Sequence, residues 1–310
     1  MTRMEKAKAG EIIDEFRRLA HIEHTTEEII LNGISKGEIT LCNSGVKKIE
    51  PVAIGSGLRI KINANIGTSS DASSIDEEVE KALCAVDYGA DTIMDLSTGG
   101  DIPETRARIL EAVKVPVGTV PIYEVCIWAK NNRQGVINMT ADDLFRIIEE
   151  QLAQGVDFIT VHCGVTRPVV ERLREQGRLT DVVSRGGAFL VEWMLYNEKE
   201  NPLYEQYDRL LEITKRYDAV LSLGDGLRPG CLADATDRAQ VSELIVLGEL
   251  VDRARETGVQ TMVEGPGHIP LEQVETNIKI MKNLCRNAPF MFSVRSSLIL
   301  LRDMTIFLQR

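Results

Sequence analysis

From about residue 58 onward, short runs rich in β-branched residues alternate with longer stretches whose apolar positions recur at helical spacing. The runs predict strands at 58–64 (LRIKINA), 91–96 (DTIMDL), 116–120 (PVGTV), 157–163 (DFITVHC), 181–185 (DVVSR), 219–223 (AVLSL) and 259–264 (VQTMVE). The stretches between them carry helix start and stop signals. Ser74 with Glu77 has the pattern of a capping box before a helix that runs to Gly89. Asp101 with Pro103 opens a second helix, and Thr140 with Asp143 opens a third that closes near Gly155. The stretch 235–257 ends at Gly258. Strand followed by helix, seven times without a change of composition, predicts a parallel α/β protein, a barrel sooner than an open sheet. An open doubly wound sheet would carry a glycine-rich dinucleotide fingerprint after its first strand, and GTSSD does not match it. Residues 1–57 follow another pattern, with two charged helical segments and a mixed ISKGEITLCNSG stretch, and are expected to form an N-terminal arm packed on the barrel.

Composition narrows the function. The 310 residues are 44% apolar, enough for a sizeable core, and 36 basic against 47 acidic residues give a net charge of −11. That balance argues against a general nucleic-acid binder or a protein held by charge on an anionic membrane, and favours a small-molecule enzyme. No apolar run is long enough to span a bilayer and the charged N-terminus does not resemble a secretory signal, so a cytoplasmic protein is expected. The six cysteines contain no C-x-x-C pair and read as reduced, mostly buried thiols.

In a barrel the active site forms at the C-terminal ends of the strands, and the predicted ends are densely polar. They carry Asn63-Ala64-Asn65, Met94-Asp95-Leu96-Ser97, Pro121-Ile122-Tyr123, His162-Cys163-Gly164, Ser184-Arg185-Gly186-Gly187, Asp225-Gly226-Leu227-Arg228 and Glu264-Gly265-Pro266-Gly267-His268. Ser-Arg-Gly-Gly and Asp-Gly-Leu-Arg each join an arginine, whose fork matches a phosphate, to glycines that let backbone N–H groups approach an anion. Together they suggest a phosphorylated substrate. Barrel phosphate sites more often involve the last strands, so this placement is a departure. His162 and His268 lie at strand ends, whereas His21 and His24 lie in the arm. Glu264 and His268 are four apart around a Gly-Pro-Gly loop and not on a helix face, and one histidine does not make a metal site. Asp95 and Asp225 are open to two readings, as acid–base groups or as carboxylates that hold the arginines in place.

Seven motifs at these strand ends carry a resemblance. They are NANIGTSS at 63–70, MDLSTGGDI at 94–102, GTVPIY at 118–123, HCGVTR at 162–167, VSRGGAF at 183–189, SLGDGLRPGC at 222–231 and EGPGHIP at 264–270. Over residues 1–290 the chain closely resembles the ThiC family of radical S-adenosylmethionine enzymes, which convert aminoimidazole ribotide to hydroxymethylpyrimidine phosphate in thiamine biosynthesis. The resemblance implies a (β/α)8 TIM-type barrel, here lacking its last strand. It implies substrate contacts at Asn65, Met94, Tyr123, His162, Ser184, Arg185, Gly186, Asp225, Gly226, Leu227, Arg228 and Glu264. It makes His268 one of two histidines that hold a divalent metal such as zinc. It further implies S-adenosylmethionine, a [4Fe-4S] cluster on a C-x-x-C-x-x-x-x-C motif, an electron-donor protein and a homodimer. The anaerobic 5-hydroxybenzimidazole synthases share the scaffold and substrate, and the motifs separate the two poorly.

The chain departs from the family after Phe290. Residues 291–310, MFSVRSSLILLRDMTIFLQR, contain no glycine or proline and one acidic residue, Asp303, where the family continues Tyr-Val-Leu-Gly-Pro. Codons for the family segment can be written so that loss of the first T of its tyrosine codon yields residues 291–310 in order and then a stop. The stretch is therefore expected to be an out-of-frame tail, with an amphipathic helix as the other reading. Met291 then replaces a substrate-contacting tyrosine, and the eighth strand, the second metal histidine and the cluster motif are missing. On that reading the chain is a poorly soluble, inactive or at best ribotide-binding product of a damaged gene.

Overall fold

The computed structural model describes residues 1–46, 49–265 and 268–292. Three helices, α1 (Arg3–Lys8), α2 (Asp14–Ile22) and α3 (Glu27–Lys36), precede an antiparallel pair, β1 (Ile39–Cys42) and β2 (Val52–Gly55). Met4, Phe16, Leu19, Ile30, Ile34, Ile39 and Leu41 bury together into a core of their own. Thr2 closes a full capping box on Glu5, and Gly37 ends α3 in the left-handed conformation.

The remainder is a curled parallel sheet of seven strands: β3 (Asn63–Ile66), β4 (Thr92–Asp95), β5 (Val117–Thr119), β6 (Phe158–Val161), β7 (Val220–Leu223), β8 (Gln260–Gly265) and β9 (Phe290–Phe292). Each strand pairs with the next in sequence order, without the reversal of a doubly wound sheet. Every residue of β4 to β7 is buried, as a parallel sheet clad in helices requires. The cladding helices are α4 (Ile75–Asp87), α5 (Ile102–Ala112), α6 (Pro121–Asn132), α7 (Ala141–Ala153), α8 (Arg167–Gln176), α9 (Arg185–Asn197), α10 (Pro202–Glu205), α11 (Tyr207–Tyr217), α12 (Arg238–Thr257) and α13 (Leu271–Leu284). Among the described residues no pairing joins β3 to β9, so the sheet is a half-barrel and not a closed cylinder. No helix among them is long and apolar enough to cross a membrane.

Three expectations change. Residues 181–185 are not a strand: 181–184 lie in the loop between α8 and α9, Arg185 opens α9, and Ser184 caps that helix by accepting from Gly187 N at 3.2 Å. Two adjacent valines suggested β structure there, but the segment has no sheet partner and is tethered to another loop, with Asp234 accepting from Leu179 N and Thr180 N. The seventh strand is β9, in register Val263↔Phe290, Glu264↔Met291 and Gly265↔Phe292, so the sheet runs on through two residues assigned above to the tail. The first strand begins at Asn63 and not at residue 58, with Ile60 and Ile62 exposed beside it at the sheet's free edge. The rest of the proposed tail, 293–310, lies outside the described residues.

The N-terminal unit closes the floor of the half-barrel, at the N-terminal ends of its strands. Leu41 N donates to Gln260 Oε1 at 2.9 Å, and Thr40 Oγ1 donates to Thr261 O at 2.9 Å. Asp157, just before β6, accepts from Ser44 N (2.9 Å) and Ser44 Oγ (3.2 Å) on one oxygen and from Val117 N (2.8 Å) on the other. The C-terminal ends of the strands lie at the opposite end of the half-barrel, its mouth.

Candidate functional site

The C-terminal ends of β5 to β8 bring polar groups together. Glu264 Oε1, near the end of β8, accepts from Thr160 Oγ1 (2.8 Å) on β6 and Ser222 Oγ (3.1 Å) on β7. Asp225, two residues past β7, accepts from Arg228 Nη1 at 3.1 Å, and its Oδ2 is buried without a hydrogen-bond partner among the described residues. Burial raises both carboxyls above their ordinary values, Asp225 pushes Glu264 further up, and Arg228 pulls both partly back.

Tyr123, at the start of α6, faces the same space. The guanidinium of Arg185 stands 5.2 Å from its ring centre, a cation–π arrangement. Burial raises the phenol, Arg228 and Arg185 lower it, and Glu264 and Asp225 raise it, so all four charged groups act on this one hydroxyl. His162, one residue past β6, is buried beneath. Its Nε2 lies 3.3 Å from Ser184 Oγ and its Nδ1 has no partner among the described residues. Loss of solvent, with Arg228 nearby, depresses this imidazole to about 3, so it is neutral at ordinary pH. Gly186 packs on the His162 ring so closely that a Cβ would stand 2.6 Å from Nδ1. Asn201 Nδ2 fixes the turn after His162 by donating to the carbonyls of His162 and Val165, both at 2.9 Å.

The structure thus gathers Tyr123, His162, Ser184, Arg185, Gly186, Asp225, Arg228 and Glu264 around one mouth. Met94 is buried on β4, where its register partners are Asn65 and Gly118, and Asn65 is exposed on the edge strand β3. Their link to the central cluster is through the sheet. Asp95 accepts from Ser97 N (2.9 Å) and Ser97 Oγ, and burial raises its carboxyl. No bond from it to an arginine of the mouth is among its contacts. His268 is half-buried past β8. Among the described residues no group of three His, Cys, Asp or Glu side chains is placed to hold a metal.

Two residues escaped sequence reasoning. Glu243 on α12 accepts from Gly226 N and Leu227 N, both at 2.8 Å. Arg178, its side chain fully buried, donates to the carbonyls of Leu227 (2.6 Å) and Arg228 (3.2 Å) and pairs with Asp237. The amides of Asp-Gly-Leu-Arg, expected to approach an anion, are therefore engaged by the protein's own carboxylate. Glu243 did leave one trace: it interrupts the apolar stripe Ala239, Leu247, Val251 and Ala254 of its helix.

Residues 2–294 match the profile of the radical SAM ThiC family. The chain is 56% identical over 291 residues to the phosphomethylpyrimidine synthase of Desulforamulus reducens, and 57% identical over 291 residues to that of Moorella thermoacetica. Each match covers 94% of this chain and 67% of the relative. Among solved structures, a dihydropteroate synthase of Xanthomonas albilineans aligns over 82% of this chain and 79% of its own at 12% identity, with a TM-score of 0.47. That likeness is too low to bear on function.

Proposed function

The chain belongs to the radical SAM ThiC family, whose relatives are phosphomethylpyrimidine synthases of thiamine biosynthesis, and on that premise we propose that its mouth binds aminoimidazole ribotide. The observation that carries the reading is the convergence of Arg185 and Arg228 on Tyr123, above two buried carboxyls and a neutral histidine. Arg228 and Arg185 supply the positive charge for the ribotide phosphate. Glu264 and Asp225 accept from its hydroxyl and amino groups. Neutral His162 hydrogen-bonds without introducing charge, while Asn65 and Met94 line the β3–β4 side. The half-barrel is read as seven strands of a (β/α)8 barrel, with residues 1–57 as its floor.

A radical SAM family works with S-adenosylmethionine and a [4Fe-4S] cluster, which generate an organic radical. The six cysteines of this chain do not fit that cluster. Cys42, Cys126, Cys163 and Cys285 are buried, Cys84 is exposed on α4 and Cys231 is half-buried. Burial pushes the thiols of Cys42, Cys126 and Cys163 well up and that of Cys285 to about 12, the reverse of what a metal-bound thiolate needs. The described residues complete no divalent-metal site either. A role for His268 beside a metal such as zinc rests on the resemblance, as do a homodimer, an electron-donor protein and a cytoplasmic setting.

Binding, not turnover, is therefore the direct test. Calorimetric titration of the purified chain with aminoimidazole ribotide should give saturable binding that weakens when Arg228 loses its charge. An absence of binding, or binding indifferent to Arg228, overturns the reading.

A further inference from the structure

We propose that Glu243 is a positioning residue: it holds the Asp225–Arg228 loop in the one backbone arrangement that presents Arg228 and Asp225 to an anionic ligand. The inference rests on the ribotide reading above for the ligand, but its physical claim concerns the loop alone.

Glu243 lies in the second turn of α12, 2% exposed, and spends both carboxylate oxygens on consecutive amides, Gly226 N and Leu227 N. Its seat is made for it. A Cβ at Gly164 would stand 2.7 Å from Glu243 Cγ, and one at Gly226 would stand 3.1 Å from Oε1. The other side of the loop is held as firmly. Asp237, the N-cap of α12, accepts from Gln240 N at 2.8 Å and from Arg178 Nε and Nη2 at 2.6 and 2.7 Å. Arg178 then donates to the Leu227 and Arg228 carbonyls. The first turn of one helix thus grips the loop by its carbonyls, through Arg178, while the next turn grips it by its amides.

Successive amides converging on an oxygen anion form the kind of nest that elsewhere binds phosphate. Here the nest is filled from within. Recognition at this loop then falls to side chains, Arg228 with Asp225 as its partner at 3.1 Å, and a carboxylate far along the sequence sets their aim.

The test is the Glu243→Gln substitution, nearly isosteric, which turns one acceptor into a donor facing an amide N–H. The Kd for aminoimidazole ribotide should rise about tenfold, the order expected when one charge-assisted hydrogen bond is lost. Glu249→Gln, at an exposed position of the same helix, should leave it unchanged. In a double-mutant cycle with Arg228→Lys, Glu243→Gln should cost less than threefold, because the group it aims is already altered. Equal losses in both backgrounds would overturn positioning. Hydrogen exchange at the Gly226 and Leu227 amides should quicken in Glu243→Gln with no ligand present, and unchanged exchange would also overturn it. That readout survives even if wild-type protein ignores the ribotide, which would count against the ligand assignment alone. Should Glu243→Gln fail to fold, Arg178→Lys frees the same loop from its other side and should weaken binding, again less so with Arg228→Lys.

Discussion

The two ends of the sheet are built on opposite rules. At the floor, Asp157 has both oxygens engaged by Ser44 and Val117, Gln260 meets Leu41, and Thr2 Oγ1 donates to Gly258 O at 2.7 Å. At the mouth, His162 Nδ1 and Asp225 Oδ2 are buried with no partner among the described residues, and burial makes Glu264 and Asp225 weaker acids than usual. The floor has one exception among the described residues, Arg255 Nε, although Nη2 of that side chain donates to the Gly37 and Arg286 carbonyls. A satisfied buried group stabilises the chain. An unsatisfied one costs stability, and persists where something other than the chain is to be its partner.

The sharpest test is to unsatisfy the floor. Asp157→Ala removes the bonds to Ser44 and Val117 and leaves buried amides unpaired, and should cost about 3 kcal/mol in urea unfolding while ribotide affinity barely moves. The mouth should behave the other way. Arg228→Met is expected to weaken ribotide binding by about 2 kcal/mol, or about 30-fold, with little change in thermal midpoint. A large stability loss from it would erase the contrast.

A smaller effect follows from proton linkage at the mouth. Folded Glu264, raised by burial and by Asp225 beside it, keeps a proton that the unfolded side chain releases near 4.5. Its contribution to stability is full below 4.5 and is lost as pH rises through the higher folded value. His162 works from the acid side: its contribution is full above 6.5 and lost as pH falls toward about 3. Unfolding midpoints against pH should form a dome, with Glu264→Gln flattening its alkaline flank and His162→Asn its acid flank. The smallest effect belongs to the floor: Thr2→Ala loses the capping box and the tie to Gly258, and should cost about 1 kcal/mol by thermal unfolding.

What could be read in the sequence was what is local. Thr140 with Asp143 makes a full capping box, Ser74 and Asp101 cap their helices, and Gly258 ends α12. Six of the seven predicted strands overlap observed ones, because buried parallel strands are short apolar runs with polar ends. The exchange of 181–185 for 290–292 has a physical cause. Val182 and Val183 have strand-like side chains but no partner, whereas the three residues of β9 pair with β8 and are too few to show a period. Arg228 stood out beside its glycines. Glu243 did not, since its meaning depends on a loop 16 residues away meeting a particular turn of α12.

The floor also bears on how the chain reaches its fold. Thr2 and Arg3 are anchored to Gly258 and Asp218, and Leu41 to Gln260, so this segment is fastened by residues made 215 to 256 positions later. Until then Thr40 and Cys42, on the face of β1 turned toward the sheet and buried in the finished protein, have nothing to pack against. Folding is therefore ordered against synthesis: the N-terminal helices can gather early on their own small core, but the floor closes only once β8 has joined the sheet. A nascent chain stalled before residue 260 should expose this surface to chaperones, whereas one released past it should not.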